Sequence, residues 1–149
     1  MRQNVMWQPV VNALQQSLFA EQMVCSMSTQ LFHIPETKDL RGNEEMHNHL
    51  VPASYHRVTA LGSARRLADG ESAPSIVATM MSCIEQAEQQ DREVRRGLGV
   101  MHNAAPARYK PFIATIISWQ HHAEMYLQTA KRQAQQLVGP AAMPGQYQY

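Results

Sequence analysis

Proline and glycine divide this chain into four long stretches of helical periodicity, and no segment shows the alternation of a strand. Pro9 suits the first turn of a helix, and residues 7–33 then run without a breaker. Ile34 precedes Pro35 and so leaves the helical region, which makes residues 34–37 a short connection. A second stretch spans residues 37–67, interrupted weakly by Gly42 and more seriously by Pro52, whose ring removes a backbone hydrogen bond. Residues 68–73 are turn chemistry. Pro74 or Ser75 opens a third helix that reaches about residue 98, with Gly97 and Gly99 as stop signals. Pro111 starts a fourth, which ends near Val138 ahead of Gly139 and Pro140. The expected fold is therefore all-α: one antiparallel up-down-up-down four-helix bundle over residues 1–138, its second helix kinked or split near Pro52. Residues 139–149 carry no periodicity and read as an extended C-terminal tail.

A chain of 149 residues is long enough for one self-sufficient core. With 13 basic and 12 acidic side chains the net charge is +1, which gives no electrostatic footprint for nucleic acid or an anionic membrane. No apolar run is long enough to cross a bilayer, and the first residues lack the apolar stretch of a secretion signal. Cys25 and Cys83 fall at partly apolar helical positions and read as reduced core thiols of a cytoplasmic protein. Glycine-rich phosphate loops and a Gly-x-Ser-x-Gly elbow are both missing, which speaks against nucleotide binding and serine hydrolysis.

Steps of three and four residues lay out an inner seam on each helix. On the first it runs Val11, Leu14, Leu18, Glu21, Cys25, Ser28, Phe32, with Glu21 its one charge. On the second it runs Leu40, Glu44, His47, Val51, Ser54, Val58, Leu61, with Glu44 and His47 interrupting together. The third places Glu88 and Asp91 along one edge of its seam. The fourth runs Ile113, Ile116, Gln120, Ala123, Leu127, Ala130, Ala134, Leu137, flanked by His121 and Glu124. A carboxylate in a helix seam is costly unless it is paired or binds a metal. At about 1.5 Å rise per residue, Glu21, Glu44, His47, Glu88, His121 and Glu124 differ in height by about one helical turn. They are therefore expected to converge in one layer.

Glu44-Glu45-Met46-His47 resembles the second-helix motif of the ferritin-like di-iron carboxylate bundles, which include ferritins, bacterioferritins and rubrerythrins. In that family one Glu comes from each of two helices and a Glu-x-x-His pair from each of the other two. The resemblance implies Glu21, Glu44, His47 and Glu88 as metal ligands, with Glu85 the competitor for the third helix. The fourth helix departs from the pattern: Trp119-Gln120-His121-His122-Ala123-Glu124 has no Glu-x-x-His, so His121 and Glu124 would serve in inverted order, or His122 would be the inward imidazole. By this resemblance the chain would hold two iron or manganese ions and act as an oxidoreductase or iron-handling protein. It would also form a homo-oligomer. An alternative is a metal-free, self-assembling structural bundle resembling spore coat F-type proteins, with the Tyr147-Gln148-Tyr149 tail docking on a neighbouring subunit or a shell.

Overall fold

The computed structural model describes residues 3–139, and most of them lie in four long helices. These are α1 (Gln8–Leu31), α2 (Asn43–Ala68), α3 (Pro74–Ala104) and α4 (Lys110–Val138). Short 3₁₀ turns at Val5–Trp7 and Ala107–Tyr109 lead into α1 and α4, and no strand occurs among the described residues. The tail expected over residues 139–149 falls, apart from Gly139, outside the described residues. No helix among those described is long and apolar enough to cross a membrane.

Proline stands in the first turn of α1, α3 and α4, where its missing N–H leaves no bond unmade. The boundaries of α2 and α3 differ from expectation, and both differences trace to glycine. α2 begins at Asn43 rather than near residue 37, because Gly42 adopts a left-handed backbone with φ of 95°. The longer connection is tied down by two buried side chains. Thr37 donates its hydroxyl to the Leu31 carbonyl at 2.8 Å, and Asn43 donates its amide to the Ser28 carbonyl at 3.1 Å. α3 runs on through Gly97 and Gly99 to Ala104 instead of stopping near residue 98. Gly97 is there for proximity: a Cβ at this position would lie 2.8 Å from the Cβ of Met46 on α2.

α2 is one helix through Pro52 and is not split there. The carbonyl that loses its donor belongs to Asn48, an exposed position, so water is free to take that bond.

α2 packs most extensively on α3, and α1 on α4, whereas the α1–α2 and α3–α4 seams are thinner. The apolar interior falls into two clusters. One gathers Val10, Leu14, Leu61, Leu67, Met80, Ile84 and Leu127. The other gathers Val24, Leu31, Met46, Leu50, Leu98, Met101 and Ile113.

Candidate functional site

Polar side chains from all four helices fill the level between those clusters. Ser17 and Glu21 come from α1, Arg57 from α2, Asp91 from α3 and Gln120 from α4, and each is at most 2% exposed. Arg57 organises the layer. Its Nη1 donates to Glu21 Oε2 at 2.5 Å and to Asp91 Oδ1 at 2.9 Å. Its Nη2 donates to Asp91 Oδ2 at 2.7 Å and to the Ala123 carbonyl at 3.4 Å. Its Nε donates at 2.8 Å to the Ser17 hydroxyl, which passes its own proton to the Ala123 carbonyl at 2.7 Å. A guanidinium has five N–H donors, and here all five have acceptors. That full satisfaction is what makes a buried cation tolerable.

The layer holds two carboxyl groups against one cation. Burial pushes the Glu21 carboxyl up from 4.5 to about 7; Arg57 pulls against that shift, and Asp91 adds to it. Desolvation disfavours the charge on Arg57, but Glu21 and Asp91 together outweigh it and hold the guanidinium above its ordinary range. Glu21 Oε1 has no partner at normal hydrogen-bond geometry among the described residues, although the Ser54 hydroxyl is near enough to lower the carboxyl's pKa. Gln120 Nε2 reaches Asp91 Oδ1 at 3.4 Å and leaves its own carbonyl oxygen unmatched there.

The six expected ligands are dispersed relative to this layer. Glu21 lies in it. Glu124 is half-buried at its margin, paired with Arg95 at 2.8 Å and approached by Gln120 at 3.4 Å. Burial and, after it, Asp91 raise the Glu124 carboxyl, against the pull of Arg95. Glu88 is ion-paired with Lys131 at 2.9 Å and accepts from Gln128. Glu44 is exposed in the first turn of α2, and His121 is exposed with its ring 6.3 Å from that of His122. His47 is half-buried against Phe32, with ring centroids 5.2 Å apart, and burial lowers its pKa. The Ser28 hydroxyl donates to the Val24 carbonyl at 2.6 Å, so it accepts from His47 Nε2 at 2.9 Å. His122 turns its Nδ1 to the Ser118 carbonyl at 2.8 Å.

Among the described residues no three His, Cys, Asp or Glu side chains are placed to share a metal ion. The donor chemistry agrees: Glu21, Glu88 and Glu124 each already face a basic side chain. These residues do not fit a pair of carboxylate-bridged metals.

Arg57 is the residue that sequence reasoning missed. The α2 seam was expected through Val51, Ser54 and Val58, but the buried face runs Met46, Leu50, Ala53, Arg57, Ala60, Leu61, Ala64, Leu67. Val51 and Val58 are exposed instead. A signal existed: Ala53, Ala60 and Ala64 leave the room that a long side chain needs, and two seam acids call for a seam base. A one-position register error also explains Cys25, which is exposed where a core thiol was expected, its place in α1 being taken by Val24. Cys83 is buried, and burial raises its thiol pKa.

This is an all-helical bundle of four helices with a buried arginine–carboxylate layer across its middle. No protein-family model matches the chain, and no curated protein or solved structure matches it significantly.

Proposed function

We propose that the chain is a metal-free structural bundle that works by self-association, on a ferritin-like frame whose metal layer is replaced by an internal cation. The observation that carries this reading is Arg57. Its guanidinium pairs with both core carboxyl groups, and every one of its donors is already committed.

The proposed arrangement is antiparallel, up-down-up-down. Contacts between neighbouring helices support it, because rising residue numbers on one helix meet falling numbers on the next. Ser28 meets His47 while Ser17 meets Arg57, and Arg95 meets Glu124 while Glu88 meets Lys131. The two free cysteines are in keeping with a cytoplasmic setting.

Self-association is supported by apolar surface on α1 and α4. Phe19 is 56% and Met125 52% exposed. The Phe19 ring stands edge-on to Trp119 at 6.0 Å, and His122, one turn before Met125, lies 5.9 Å from the same indole. Exposed apolar area of this kind is a common mark of an interface.

The test combines metal analysis with particle size. After anaerobic Fe(II) loading, the expected result is no stoichiometric iron. About two irons per chain, lost in Glu44→Ala/His47→Ala, would overturn the proposal in favour of a di-iron centre. Light scattering should show an oligomer that Phe19→Ser dissociates, and a monomer in the unaltered protein would refute self-association. Deleting residues 140–149 reports separately on whether the tail contributes to the assembly.

A further inference from the structure

The thin α1–α2 seam opens into a groove of about 360 Å³. Leu50, Val51, Tyr55 and Val58 form its apolar lining, and Glu21, Ser54, Gln22 and His47 are its polar residues, with Cys25 beside them. Val51, Tyr55 and Val58 recur on one face of α2 and are 69%, 66% and 53% exposed, so this stripe has no partner among the described residues. Glu21 itself is 2% exposed; its Oε1 has no partner at normal hydrogen-bond geometry there, the Ser54 hydroxyl being the neighbour that lowers its pKa, while Oε2 is held by Arg57. A buried acceptor without a partner is costly, and a ligand that satisfies it recovers that cost.

We propose that this groove binds a small primary ammonium ion on an apolar body, with the ammonium on Glu21 Oε1 beside the Ser54 hydroxyl and the body between Leu50, Val51, Tyr55 and Val58. Three features select this class of ligand. The layer carries two carboxyl groups and one guanidinium, so a further single positive charge balances it. A guanidinium ligand would lose the bidentate pairing that favours it, because Arg57 already holds the other Glu21 oxygen. A hard divalent cation needs several oxygen ligands, whereas this lining is chiefly hydrocarbon. An ammonium is compact and makes do with single acceptors. The groove has room for about a dozen heavy atoms if each takes the ~30 Å³ of a water in liquid. The α1–α4 surface proposed for self-association is a different one, so the two ideas stand or fall separately.

The experiment is calorimetric titration of the full chain at about pH 8 with 2-phenylethylamine, and with 2-phenylethanol as the neutral control of the same shape. The amine should bind saturably at one site, about tenfold or more tightly than the alcohol, which is the effect of about one charge–charge contact. Glu21→Gln should weaken the amine by a similar factor and leave the alcohol nearly unchanged. Val58→Arg places a cation at the mouth of the groove on an exposed position, so it should weaken the amine without disturbing the core. Should Glu21→Gln fail to fold, Val58→Arg decides the matter alone. No saturable binding, equal binding of amine and alcohol, or undiminished binding by a folded Val58→Arg protein would each overturn the proposal.

Discussion

A guanidinium buried at position 57 is tolerable only because Glu21, Asp91, Ser17 and Ala123 accept all its protons. Asp91 takes two parallel bonds from the fork, and Glu21 takes one. The second carboxyl is therefore the weaker partner, and burial raises its pKa to about 7. A raised acid pKa means that the folded state holds this proton more tightly than the unfolded chain does. The associated stability is fully present below about 4.5 and is lost as pH rises through about 7. At about 1.4 kcal/mol per pKa unit, the loss amounts to a few kcal/mol at most. His47, whose pKa is lowered, contributes with the opposite sign, so the quantity to measure is a difference. Denaturant unfolding of wild type and Glu21→Gln between about pH 4.5 and 8 should show wild type losing stability relative to the variant as pH rises. Parallel pH profiles would mean that Glu21 ionises no differently in the folded chain.

At the scale of the helix, glycine carries two different meanings in α3. Gly97 lets α2 approach, with Met46 2.8 Å from the position a Cβ would take, while a Cβ on Gly99 meets nothing within 4 Å. Gly97→Ala should cost about 1–3 kcal/mol through overpacking of a rigid contact. Gly99→Ala should stabilise by up to about 1 kcal/mol, the intrinsic helix preference of alanine over glycine. Thermal unfolding of the two variants gives opposite shifts if this is right, and a matched pair of stabilisations would show that the α2–α3 contact relaxes freely. From sequence the two glycines look alike and both read as stop signals, since the difference lies on a neighbouring helix. The prolines at positions 9, 74 and 111 were legible because their effect is local to their own backbone.

Across the whole molecule, the arginine layer joins two apolar clusters that would otherwise be separate cores. Leu14 belongs to one and Ile113 to the other, and both are fully buried. Leu14→Ala should cost about 2–5 kcal/mol. If the layer couples the halves, amide exchange should show the same loss of protection around Ile113 as around Leu14. Protection lost on one side alone would identify two independent folding units. Four helices, most of their limits and the α4 seam follow from this sequence by itself, because periodicity and proline act along one chain. Which face of α2 turns inward was decided by the tertiary structure. Val51 and Val58 are the more apolar choice locally, yet Arg57 is buried in their stead because Glu21 and Asp91, on two other helices, offer the charge that makes its burial possible.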